Sequence, residues 1–269
     1  MTIGEHSVPL APRWLGADGG PHRAGTDTVV NVRLRNGGEA TWRSRGTGGL
    51  HLAYHWLDPL GNAIVWDGVR TAFPRPVAPG EDLELAVPVR APRPPGRYLL
   101  RFDLVEEHRF WLSELGCDVL DVGVDVLPRV ESRRLAVVVH GGDDPATQAA
   151  LDGQEEALVT DRPVAVAHLV AGAVPPTDWS RRLLDAHEEG WPAVGTAVVP
   201  TGRRAARRLA AWSPGGRNPR FGSPLLLPSL LDELEPGEHL GLPAYEGPDA
   251  LFEGRVTVTL RPRSGRRPT

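Results

Sequence analysis

The chain has 269 residues, 41% of them hydrophobic and 24% charged, which is the make-up of a folded protein and excludes a disordered one. A formal net charge of -4, with Arg as the only long-chain basic residue, argues against a general binder of nucleic acid or of an anionic membrane, since both need surplus positive charge. The length predicts two cores, and the single cysteine, Cys117, excludes an intrachain disulfide and suits a reducing compartment.

Met1 to His6 carries neither a basic segment nor an apolar run, and no stretch approaches the ~18 consecutive apolar residues of a membrane span. The expected location is cytoplasmic. Residues 1–127 then show alternation of period two, broken by Gly, Pro, Asn and Asp, which predicts short strands. Val30, Val32 and Leu34 share one face, as do Leu50, Leu52, Tyr54 and Trp56. Turns follow at Pro59 to Asn62 and at Asp67-Gly68, with a short strand from Ala63 to Trp66 between them. The runs Leu83 to Val89, Tyr98 to Leu104 and Val122 to Val126 alternate in the same way. This spacing predicts an all-β, immunoglobulin-like sandwich. Pro95-Gly96-Arg97-Tyr98 reads either as a tyrosine corner or as plain core packing. His51 and His55, about 13 Å apart along one strand, are too distant to share a metal ion and read as solvated.

Asn36 to Trp42, Tyr54 to Asp58, Asp67 to Thr71, Val77 to Gly80, Pro95 to Tyr98 and Phe102 to Glu107 resemble Ig-like domains attached to bacterial glycosyltransferases. Such domains look related to a four-tryptophan Ig-like class, and Trp42, Trp56, Trp66 and Trp111 supply four tryptophans. The resemblance implies binding or scaffolding and not chemistry. Trp56 shares a face with core residues, whereas Trp66 and Trp111 are candidates for an aromatic platform that stacks on a sugar ring.

Residues 131–269 change pattern and predict an α/β domain. Leu135 to Val139 reads as a strand buried on both faces, ending at His140-Gly141-Gly142-Asp143-Asp144. Ligands of open α/β sheets bind at such ends, so His140, Asp143 and Asp144 are ligand-binding candidates, although a helix N-cap with a first-turn acid is the favoured reading of the two aspartates. Pro145 to Gln154 predicts a short helix, Val164 to Val170 a strand, Pro175 to His187 a helix and Ala193 to Val199 a strand. Pro175 to Trp179, His187 to Gly190 and Val194 to Val198 resemble part of a family-two, GT-A glycosyltransferase, which adds Asp178 to the candidates. Ala171-Gly172-Ala173 stands where that family carries its paired metal-binding aspartates, and these residues offer no side-chain oxygen. The resemblance therefore implies a shortened, degenerate relative without the metal-binding motif.

Arg203 to Arg208 predicts a helix with a basic stripe, and the turn-rich stretch from Trp212 to Gly222 offers Arg217, Asn218 and Arg220 as anion-gripping candidates. Pro224 to Leu231 predicts a short apolar helix, Leu240 to Tyr245 an extended segment and Val256 to Leu260 a strand. No Gly-x-Ser-x-Gly elbow, P-loop or G-x-G-x-x-G pattern completes a catalytic motif. The expectation is a non-catalytic accessory or binding protein of a bacterial glycan pathway, with no cofactor, no metal, no nucleic acid and no membrane span. Its expected partner is a glycan or a glycan-pathway protein, and homo-oligomerisation is open. The alternatives are a metal-independent glycosyltransferase and a structural assembly subunit.

Overall fold

The structure is a computed structural model that describes residues 10–46, 49–202, 224–239 and 241–261. The chain divides into two compact units, Met1–Pro128 and Arg129–Thr269.

In the first unit, strands β1 (Pro12–Gly19), β2 (Asp27–Asn36) and β6 (Asp82–Arg90) form one antiparallel sheet. The second sheet is built on β3 (Leu50–Leu57) and β7 (Gly96–Glu106). β4 (Ala63–Val65) and β5 (Thr71–Ala72) pair with β3, while β8 (Phe110–Trp111) and β9 (Leu120–Val126) pair with β7. The alternation seen in the sequence becomes the core: Val32, Leu34, Leu85 and Val87 from one sheet meet Leu52, Trp56, Leu100 and Phe102 from the other. Each such buried side chain contributes about 1.5–3 kcal/mol. Trp56 is fully buried, and its indole N–H is satisfied by the Arg90 carbonyl at 2.9 Å. The Tyr98 hydroxyl donates to the Pro94 carbonyl at 2.7 Å, four residues upstream, which is the tyrosine-corner arrangement. The Cys117 thiol is half-buried and donates to the Leu10 carbonyl.

The second unit departs from the α/β expectation. It is mostly β, and its helices among the described residues are two short ones, α1 (Pro145–Asp152) and α2 (Trp179–Glu188). Its main sheet is mixed. β10 (Leu135–His140), β11 (Ala165–Val170), β15 (Ser229–Leu231), β13 (Ala193–Pro200), β18 (Ala250–Leu260) and β12 (Ala173–Val174) lie side by side in that order. β10 runs parallel to β11 and β13 parallel to β18, whereas β15 is antiparallel to both of its neighbours. β14 (Leu225–Leu226), β16 (Gly237–His239) and β17 (Leu242–Tyr245) make a small separate sheet.

The apolar stretch Pro224 to Leu231 is therefore two strands and not a helix. Leu227 sits at a positive φ of 50° between them, and Pro228 lacks an N–H for helical bonding. The three buried leucines Leu225, Leu226 and Leu227, followed by Leu230 and Leu231, serve two sheets at once. The helix expected over Arg203 to Arg208 lies outside the described residues.

α2 is amphipathic, with Trp179, Leu183, Leu184 and Ala186 turned into the core of this unit. His187 is buried with them. Its Nδ1–H donates to the Trp191 carbonyl at 2.7 Å, and its Nε2 lies 2.9 Å from the Ser229 hydroxyl, so helix, loop and β15 meet at one neutral imidazole. Burial holds its pKa down at about 4, against 6.5 for a free imidazole. An unfolded chain binds this proton below pH 6.5 and the folded one does not, so stability present at neutral pH is lost as pH falls toward about 4. The contribution is on the order of 3 kcal/mol. Urea denaturation at pH 7 and at pH 4 checks this. The acid-induced loss of stability shrinks by most of that amount in His187→Gln, whose amide can donate and accept but does not titrate.

Candidate functional site

In the second sheet of the first unit, the central strands β3 and β7 are covered on both faces over much of their length. Toward the sandwich core it presents Leu52, Tyr54, Trp56, Leu100 and Phe102. On the outer face, period two places His51, Ala53 and His55 on β3 beside Arg101, Asp103 and Val105 on β7. Sequence spacing read His51 and His55 as solvated, but both are at least half-buried and His55 is fully so. For His55 the reason is a cover that only the folded chain supplies, made by Trp66 and Trp111.

Trp66 and Trp111, the two platform candidates, are brought together with ring centroids 6.0 Å apart in a T-shaped pair. His55 lies between them, stacked on Trp66 at 4.2 Å and tilted against Trp111 at 4.3 Å. Its Nδ1–H donates to the Trp66 carbonyl, which fixes the tautomer and leaves Nε2 as a buried acceptor without a protein partner. Burial pushes the His55 pKa down, against the raising effect of that bond and of Asp103, so the ring is neutral at physiological pH. Trp111 is 8% exposed, whereas Trp66 keeps 46% of its surface open. Trp66 is thus the ring available to a ligand, with His55 and Trp111 beneath it as support.

Two local features hold Trp66 in place. Gly68 N–H donates to the Tyr54 carbonyl at 2.9 Å, and a Cβ at Gly68 would lie 2.4 Å from that oxygen, so only glycine permits the loop to approach β3 so closely. Arg70 then spreads its guanidinium over three acceptors: Glu107 at 2.7 Å, the Gly68 carbonyl at 2.8 Å and Asp67 at 3.0 Å. The same guanidinium lies 5.0 Å from the Trp111 ring centre. Aromatic rings are therefore bordered by Asp67, Arg70 and Glu107, all of which retain some solvent exposure.

Deeper on the same face, Asp103 is fully buried and accepts from the Ser113 hydroxyl at 2.5 Å and from its neighbour Leu104 N–H at 2.7 Å. Burial raises its pKa, opposed by these bonds and by His55. Ser113, His55 and Asp103 do not form a nucleophilic triad. The serine donates to the aspartate, and the histidine Nδ1 is spent on a backbone carbonyl, so neither activates the hydroxyl.

The remaining candidates are scattered. Asp144 caps α1, its Oδ1 accepting from the Ala146 and Thr147 N–H groups at 3.1 and 3.0 Å. Asp143 borders a shallow cavity of about 190 Å³ with Asp144, Thr147, Gln148 and Val139. His140 is exposed at the end of β10, its Nε2 3.1 Å from Nδ1 of His168, a residue that sequence reasoning did not single out. Asp178 is ion-paired with Arg182 at 2.6 Å and Arg181 at 3.8 Å. Arg217, Asn218 and Arg220 lie outside the described residues. The Ala171-Gly172-Ala173 segment is packed tight: the Gly172 carbonyl accepts from Arg261 at 2.7 Å, and a Cβ at Gly172 would lie 2.4 Å from the Arg261 oxygen. Among the described residues no group of three or more His, Cys, Asp or Glu is placed to hold a metal ion, and no helix is long and apolar enough to cross a membrane.

No family model and no curated protein matches the chain. Among solved structures it is distantly similar to β-rich domains. The C-terminal domain of Wzt matches with a TM-score of 0.30 and 9% identity, over 46% of this chain and 75% of that one. The CARDB domain of a Pyrococcus furiosus protein, in complex with di-metal ions, matches with a TM-score of 0.28 and 16% identity, over 47% of this chain and 100% of that one. An ApaA protein from Bordetella pertussis matches with a TM-score of 0.23 and 18% identity, over 45% of this chain and 98% of that one.

Removing the Ser113 hydroxyl leaves the buried Asp103 carboxylate with one donor fewer. Ser113→Ala is expected to destabilise the first unit by about 1–3 kcal/mol, read as a lower urea midpoint with an unchanged denaturant slope.

Proposed function

We propose that this chain is a non-catalytic binding protein whose first unit recognises a carbohydrate through Trp66. The observation that carries the reading is a half-exposed indole seated on a buried, neutral imidazole and edged by a fixed Arg70 with two carboxylates. An indole face stacks on the C–H face of a pyranose, and planar charged groups at its rim suit the ring hydroxyls. Rigid support lowers the ordering cost of binding, since Trp66 is already held by the His55 contact and the loop around Gly68.

The sequence resemblance of residues 25–127 to Ig-like modules of bacterial glycosyltransferases supplies the context, a glycan pathway. A cytoplasmic location suits a chain whose one thiol needs no pairing. The metal-independent transferase reading, which would use Asp143, Asp144 or Asp178, loses support at two of these acids, since Asp144 is consumed as a helix cap and Asp178 as an ion-pair partner, while Asp143 borders a cavity.

The test is binding of the full chain to a panel of hexoses and bacterial surface polysaccharides, read by quenching of tryptophan fluorescence and by calorimetry. Trp66→Ala is expected to weaken binding by about tenfold or more, as for a central aromatic anchor, while Trp66→Tyr retains part of it. Absence of binding across the panel, or equal binding by Trp66→Ala, would overturn the reading.

A further inference from the structure

A second polar device stands in the second unit, on residues that the sugar-binding reading does not use. β10 and β11 run parallel with Val138 registered opposite His168, so His140 lies two residues further along the same sheet face. That register brings His140 Nε2 to 3.1 Å from His168 Nδ1, with the two rings 33° from coplanar and their centroids 5.3 Å apart. The two nitrogens face each other across strands held in place by the parallel ladder.

We propose that His140 and His168 together bind one divalent late transition-metal ion, of the copper, nickel or zinc class, through His140 Nε2 and His168 Nδ1. Metal–imidazole bonds of about 2.05 Å to both nitrogens would subtend close to 98° at the ion, between the square-planar and tetrahedral values. The ion would replace the hydrogen bond between these two nitrogens, with each neutral ring then carrying its proton on its other nitrogen. Imidazole is the donor these ions prefer, whereas calcium and magnesium demand oxygen ligands that this pair does not offer. His168 is buried and supplies the fixed half of the pair, while His140 is exposed and supplies the access. The remaining coordination positions fall to water or to an oxygen of an incoming molecule.

Calorimetric titration of the full chain with zinc, and electron paramagnetic resonance of the same chain with cupric ion, test this. The expected result is one saturable ion per chain, a cupric spectrum with two coupled nitrogens, and a rise in melting temperature with metal that follows mass action. His140→Ala, which removes an exposed side chain, is expected to weaken binding by about tenfold or more and to reduce the nitrogen coupling. Saturable binding that persists unchanged in His140→Ala, or no saturable binding by the natural chain, would overturn the proposal. Neither outcome bears on Trp66.

Discussion

The antiparallel pairing of β3 with β7 is the constraint on which the first unit depends. Its register runs without a break from Leu50 opposite Glu106 to Leu57 opposite Leu99. Because side chains alternate in strict period two, this register decides two surfaces together: Leu52, Trp56, Leu100 and Phe102 on the core side, and His51, His55, Arg101 and Asp103 on the other. A slip by one residue would send Trp56 out and His55 in, so the large apolar core enforces the position of the polar cluster. The aromatic platform thus inherits its geometry from packing on the far side of the sheet.

That inheritance explains what the sequence disclosed. Alternation and turn residues place the strands of residues 1–127, because each strand buries one regular face and the turns at Asp58 to Asn62 and Gly80 need little beyond local chemistry. Asp58, for instance, closes its own turn with bonds to Leu60 and Asn62. Trp66 and Trp111 stood out for lying off the core alternation. The burial of His55 did not, since nothing along β3 announces that residues 66 and 111 return to cover it. The closure depends on the Gly68 contact with Tyr54 and on Arg70 joining two hairpins, and both are tertiary facts.

In the second unit the apolar runs 135–139 and 193–199 are strands as read, and Asp144 is a cap as one reading had it. The class of the sheet was not legible. A continuous apolar run fits a strand in a parallel sheet or in a mixed one equally well, and the deciding element is β15, three residues inserted antiparallel between β11 and β13. Its sequence, Ser229-Leu230-Leu231, carries no periodic signal at that length. Ser229 reaches His187 across that junction, so a residue that looks like a polar interruption of an apolar helix instead satisfies a buried imidazole.

Burial treats the titratable groups of the two units alike: it favours the uncharged form wherever a group lacks a full set of partners. His55 and His187 are held neutral and Asp103 is pushed toward protonation, each because desolvation outweighs its hydrogen bonds. Directly beneath Trp66 lies the neutral His55 ring, while the charges of Arg70, Asp67 and Glu107 stand at the edge of the indole and are paired through Arg70. Under the sugar-binding proposal, a neutral, hydroxyl-rich ligand would gain its contact from the indole face and its orientation from the rim.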